Sequence, residues 1–316
     1  MKDYADQDNL HTRLYAMRSR LLSLNDYASI ARDHECFYVK TSGVHDYLDG
    51  KETVFREQIA SVIRLAEATS NYAPLFIAFL RQYEVNNVKL VLAKAFGRES
   101  LEQWYDIGPY ATLDRSLLDN KPSLEQIKEI LTNTYLEDVC KDFSSYERLE
   151  IRADICAAMN LYAASVPFSS ESKKVFQSFI SRRIAILMMI RRWRFKENYH
   201  WSGEKIQLYL DMLNNVFETP VWPQFRIVGV SLEQRLEKLR KSGVQTPTAA
   251  DIEHHLEQYY YSWISSMFHR DFHSIYCVIA YLQLLYYQIK NLFCIIEGLR
   301  FGLSTEAILE RIICEV

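Results

Sequence analysis

The chain has 316 residues, with only nine glycines and seven prolines, well under the roughly 7% and 5% of average usage. Its formal net charge is −3, so no strong overall field draws it to nucleic acid or anionic lipid. The length allows two or three ordinary domains. The shortage of breakers, with abundant Leu, Ile, Ala, Glu, Gln and Tyr, favours long helices.

In chain order, the first residues are polar and acidic, unlike a secretory leader. Leu10–Ala31 reads as an amphipathic helix pair, with Leu14, Met17, Leu21 and Leu22 on one face and Asn25 or Asp26 as the cap of the second helix. Thr41–Gly50 reads as a turn. Ile59, Val62, Ile63 and Ala66 follow a helical period. Tyr72–Phe96 is a helix that is apolar nearly all round, the pattern of burial on every side, and Gly97 marks its end. Farther on, Lys128–Asp142 and Tyr146–Ala164 read as helices, with a break at Pro167. A second all-apolar helix runs from about Phe179 through Arg194, and Pro220, Trp222 and Pro223 mark a boundary. Gln224–Val230 has the short apolar run of a strand or an extended linker. Thr248 or Asp251 starts a helix Ile252–Phe268. The last long helix ends at Gly302, and Ser304 caps a terminal helix Ala307–Val316.

The three apolar helices resemble one another. With a one-residue gap, Tyr83, Asn87 and Gly97 match Tyr287, Asn291 and Gly302, and Arg183 stands at the Asn position of the middle copy. Ser-Leu-Glu-Gln, a capping-box form, occurs at Ser100–Gln103, Ser123–Gln126 and Ser231–Gln234. Ser123 to Ser231 and Arg183 to Asn291 are both 108 residues apart. A shared offset between two landmarks is the signature of an internal repeat. It predicts three helical units, 1–112, 113–222 and 223–316.

Tyr276–Ile296 is long enough to cross a bilayer. It carries Lys290, Gln283, Gln288 and Asn291, which a bilayer disfavours, so the prediction is a buried helix and no transmembrane segment. The six cysteines are scattered; with no recognisable leader they read as reduced thiols of a cytosolic protein. Cys156 and Cys277 lie in apolar surroundings without an activating base, as core thiols do. His269 and His273 share a helix face and could bind a metal with a third ligand, near His254 and His255, but no zinc motif joins them. No phosphate-binding glycine loop or nucleophile elbow is present. Neither a metal nor a cofactor is therefore expected. The Arg191–Lys196 run, with Trp193 and Phe195, fits phosphate contacts and base stacking, cations at a helix C-terminus, or a protein-docking surface. The 21 tyrosines suit large interfaces or polar-lined cavities as well as ordinary helix packing. A metal-dependent or nucleic-acid-binding all-α protein is the alternative on these residues.

Three stretches carry a resemblance. They are Tyr15-Ala-Met-Arg18-Ser-Arg-Leu-Leu22, Val85-Asn-Asn-Val-Lys-Leu-Val-Leu-Ala-Lys94, and the ending Asn291-Leu-(x)4-Glu-Gly-Leu-Arg-Phe-Gly-Leu-Ser-(x)3-Ile308. Together they resemble the family of C and d subunits found in V-type and A-type rotary ATPases. The middle copy departs from that pattern, with Arg183 for Asn and Met188-Met189 for smaller residues. The resemblance implies an all-α fold of three pseudo-symmetric lobes forming a funnel around a central cavity. It implies a non-catalytic central-stalk rotor component at the cytoplasmic face of the membrane, with no nucleic acid among its partners. Those partners would be the shaft subunits D and F and the proteolipid ring, coupled for proton or sodium transport. Asn87, Lys89, Arg183, Arg191, Arg192 and Asn291 are the candidate residues for lining or edging the cavity.

Overall fold

The computed structural model describes residues 2–33, 44–98, 103–120, 122–141, 145–218, 222, 224–242, 248–270 and 274–315. Among them the regular structure is helical, with no strand. The helices are α1 (Lys2–Arg18), α2 (Leu24–Arg32), α3 (Val44–Ala68), α4 (Ala73–Ala95), α5 (Leu117–Asn120), α6 (Leu124–Leu131), α7 (Tyr146–Ala164), α8 (Ser170–Glu197), α9 (Gly203–Phe217), α10 (Gln224–Ser242), α11 (Ala249–Phe268), α12 (Ile275–Arg300) and α13 (Thr305–Leu309). The protein is all-α, as its composition predicts.

Two compact units form. Unit 1 holds residues 1–157 and 264–316, and unit 2 holds 158–263. The chain passes between them within α7 and within α11. In unit 1, α12 packs against α1, α2, α3 and α13, and α3 also packs on α4. α12 is long and apolar enough to cross a membrane, yet 78% of its most apolar window is buried inside the protein. In unit 2, α8 packs against α9 and α10. Phe217 anchors the junction of α9 and α10, with Trp222 at 5.2 Å and Phe225 at 5.7 Å between ring centres.

Helix starts follow local chemistry. Ser23 and Ser123 each accept from the third helical N–H, and Asp26 and Gln126 each return a bond to the cap N–H. The cap of α2 is thus Ser23, with the predicted Asp26 as its reciprocal partner. Thr248 and Asp251 form the same reciprocal pair before α11. Ser304 caps α13, which stops at Leu309, well before the predicted Val316.

Other expectations fail. Ser231 caps nothing, because it lies inside α10, and Gln224–Val230, read as a strand or linker, is the first part of that helix. Its apolar run packs as a helix because Phe225 and Val228 are buried three positions apart. Residues 100–102 of the remaining Ser-Leu-Glu-Gln lie outside the described residues, as do Pro220 and Pro223 of the expected boundary. Gly50 sits inside α3 rather than in a turn; one glycine costs a helix only about 1 kcal/mol. The predicted helix Lys128–Asp142 is broken after Leu131, where Asn133 turns with φ +61°. The second apolar helix starts at Ser170, so Arg182 and Arg183 lie in its middle.

α4 and α12 end alike. Gly97 and Gly302 have φ +68° and +67°, a conformation that glycine adopts at little cost. Arg98 N–H reaches Ala93 O at 2.9 Å and Gly97 N–H reaches Lys94 O at 3.0 Å; Leu303 and Gly302 repeat this with Gly298 and Leu299 at 2.9 and 3.1 Å. Both are Schellman endings.

Candidate functional site

Polar positions of α4, α8 and α12 that are buried or half-buried need partners to offset desolvation. Asn87, 1% exposed, donates through Nδ2 to Tyr105 O at 2.8 Å and accepts Tyr105 N–H on Oδ1 at 2.8 Å. Asn291, 2% exposed, does the same with Ile313, at 2.8 and 2.9 Å. In each case a carboxamide pairs with the N–H and C=O of one residue in the irregular segment beyond the helix and clamps that segment to it. Neither Asn has surface left to offer a partner, so their part is internal.

Lys89 pairs with Asp154 on α7 at 2.7 Å. Arg183 occupies the Asn position of α8, but its guanidinium donates to both oxygens of the buried Glu257 on α11, at 3.0 and 2.8 Å. Arg192 is exposed and lies 3.7 Å from an equally exposed Glu233. Arg191 is half-buried. At the end of α8, Phe195 stacks on Trp201 at 4.4 Å and Lys205 lies 3.7 Å above the Trp201 ring. These rings serve one another rather than standing free for bases. The structure therefore separates the six candidates into two buried clamps, Asn87 and Asn291, two half-buried ion-paired cations, Lys89 and Arg183, the half-buried Arg191 and the exposed Arg192.

Several polar groups escaped the sequence reading. Glu84 is fully buried and accepts from Thr112 N–H, from Leu113 N–H at 2.9 Å and from the Tyr135 hydroxyl at 2.8 Å. Burial and the Glu84 carboxylate push the Tyr135 phenol well above its ordinary range. Gln288 accepts Leu22 N–H at 2.7 Å. Lys51 pairs with Glu297 at 2.6 Å. Gln288 is a polar letter in an apolar run, whereas Glu84, in Arg81-Gln-Tyr-Glu-Val-Asn-Asn87, and Lys51, in Asp49-Gly-Lys-Glu-Thr53, carry no such signal.

Contacts of the central helices recur. α4 meets α7 through Lys89–Asp154, and through Arg98 stacked on Tyr146 at 4.4 Å. α8 meets α11 through Arg183–Glu257 and Arg194–Glu253. α12 meets α3 through Glu297–Lys51, and through Arg300 over Tyr47 at 4.3 Å.

Burial pushes the thiols of Cys156 and Cys277 up to about 12, so both are protonated at neutral pH and neither is primed for nucleophilic attack. Among the described residues, no three His, Cys, Asp or Glu side chains gather as a metal site. His269 is exposed beside Phe268, and His273 lies outside the described residues.

The class these features define is an all-α protein whose polar groups hold helices to one another. The ATP synthase (C/AC39) subunit family model matches residues 46–311, and the chain belongs to that family. It is a subunit of a V/A-type ATPase complex. No curated protein sequence matches the chain.

Proposed function

We propose that this protein is a non-catalytic rotor component of the central stalk, a socket that couples a shaft of D and F subunits to the membrane proteolipid ring. Three repeats, 1–112, 113–222 and 223–316, would supply three lobes around the cavity that takes the shaft. The protein would lie peripherally at the cytoplasmic face, and torque passing through it would link ATP turnover to proton or sodium movement.

One observation carries the reading: the recurring contact α4–α7, α8–α11, α12–α3. Each central helix is tied to a helix that directly precedes another central helix: α4 to α7, α8 to α11 and α12 to α3. Within each unit such contacts resist twisting, because close-packed helices deform little. Ion pairs and carboxamide clamps fix their register.

Of the six candidate residues, the exposed Arg192 and its half-buried neighbour Arg191 remain as the proposed docking pair in the last turns of α8. The test is a pull-down of purified D–F shaft by the full chain and by the Arg191→Glu, Arg192→Glu double variant. The expected result is retention by the native chain and at least a tenfold loss in the variant, with its melting temperature unchanged. Equal retention would remove the two arginines from the interface, and no capture by the native chain would refute the shaft-socket role.

A further inference from the structure

A cationic shelf in unit 2, between α8, α10 and α11, is not explained by the contacts above. Its centre is Tyr259. Arg182 donates from Nη1 to the Tyr259 hydroxyl at 2.6 Å and lays its guanidinium over Trp263 at 4.3 Å. Arg235, exposed on α10, stacks on the Tyr259 ring at 4.0 Å. His255 stands one turn before Tyr259 on α11 and is half-buried.

The neighbouring arginines of unit 2 show what is missing. Arg183, Arg192 and Arg194 each face a carboxylate, Glu257, Glu233 and Glu253. Among the described residues, neither Arg182 nor Arg235 does; they meet aromatic rings and one phenol. Arg182 Nε and His255 Nε2 are buried without a partner. The Tyr259 hydroxyl accepts from Arg182 and keeps its own proton to donate. Two guanidiniums therefore converge on one phenol with donors to spare and no counter-charge, an arrangement that an anion relieves.

The kind of anion follows from the construction. Phosphate sites commonly use backbone N–H groups at a helix N-terminus. All these residues sit within helix interiors, where backbone N–H groups are already bonded, so only side chains are offered. Planar guanidinium forks match a planar carboxylate. Arg, Tyr and Trp on one half-buried surface are also the residues enriched at protein-binding hot spots. The family places the chain inside a multisubunit complex.

We propose that this shelf receives a carboxylate from an acidic segment of a neighbouring protein of the complex, held by Arg235 and Arg182 with the Tyr259 hydroxyl as a third donor. The proposal rests on membership of the complex and is independent of the rotor role. His255 reports on it. Burial, then the Arg235 and His254 charges, hold its imidazole below the ordinary range; a carboxylate seated beside Arg235 offsets that charge and raises it.

The experiment titrates His255 by NMR in the full chain, alone, with a hexaglutamate peptide, and with inorganic phosphate, and measures peptide affinity by calorimetry. Expected are a peptide-induced rise in the His255 titration midpoint and at least tenfold weaker binding by R235Q, whose site is on the surface. The R182K variant keeps the charge but loses the fork, and should weaken binding less. Melting temperatures establish that both variants fold. A response to phosphate but not to peptide overturns the carboxylate assignment. So does a peptide affinity equal in native and R235Q protein, or no peptide response at all. None of these outcomes touches the shaft reading, which is read from Arg191 and Arg192.

Discussion

α4 and α12 of unit 1 carry Asn87 and Asn291 where the sequence alignment sets Arg183 in α8 of unit 2, and these residues make different contacts. Asn87 and Asn291 each turn their carboxamide to the N–H and C=O of a single residue farther along the chain. Arg183 is too long and too highly charged for that task, and it reaches Glu257 on a neighbouring helix instead. A neutral clamp holds a segment to its own helix; a charged fork holds helix to helix. The endings differ accordingly. α4 and α12 stop at left-handed glycines, whereas α8 continues to Glu197 through a run of cations.

The largest break in this comparison comes from removing the acid. Glu257→Gln should cost about 3–5 kcal/mol, because it leaves Arg183 half-buried without its counter-charge. Urea unfolding measures this. The paired Arg183→Leu, Glu257→Leu change should recover most of the loss, since an apolar pair of similar volume often replaces a buried ion pair without penalty. If the single and double variants are equally unstable, packing rather than charge holds α8 to α11.

Next come the clamps. Asn291→Leu and Asn87→Leu each orphan one buried backbone N–H and one C=O, and each should cost about 2–4 kcal/mol. Hydrogen exchange should show Ile313 N–H and Tyr105 N–H losing protection while the helix amides keep theirs. Loss of protection along the whole helix would mean that the carboxamide supports the helix itself.

Smaller effects belong to the helix ends. Gly97→Ala and Gly302→Ala meet open space, so only the backbone conformation is strained. Each should lower stability by about 1 kcal/mol, read as matched shifts in melting temperature. Gly298→Ala is a control of another kind: its new Cβ would lie 2.5 Å from the Ile308 side chain, so its cost is steric. The smallest effect is the surface pair. A double-mutant cycle on Arg192 and Glu233 should give a coupling below about 0.5 kcal/mol, because both side chains are 62% exposed. A larger coupling would mean that the end of α8 is more rigid than its exposure implies.

Much of this was legible beforehand. The apolar helices α4 and α12, the glycines that end them and the caps at Ser123, Thr248 and Ser304 are local features, and local chemistry specifies them; α8 is less apolar than its reading as a third such helix implied. The Ser231 box failed because S-x-x-Q marks a helix start only where the preceding backbone leaves the helix. Here burial of Phe225 and Val228 keeps that backbone helical. Asn87 and Asn291 could be singled out as polar letters in apolar runs, but their roles could not, because Tyr105 and Ile313 lie 18 and 22 residues away. Glu84 and the Arg182–Tyr259–Arg235 shelf were missed for the same reason.

The sequence by itself determined the helical class, because periodicity, breakers and caps act over a few residues, and the three stretches that carry the family resemblance are likewise read directly from it. Only the tertiary structure decided which charge meets which. A side chain's partner depends on helices distant in the chain, as Arg183 and Glu257 are at 74 residues apart, and no spacing rule encodes that meeting.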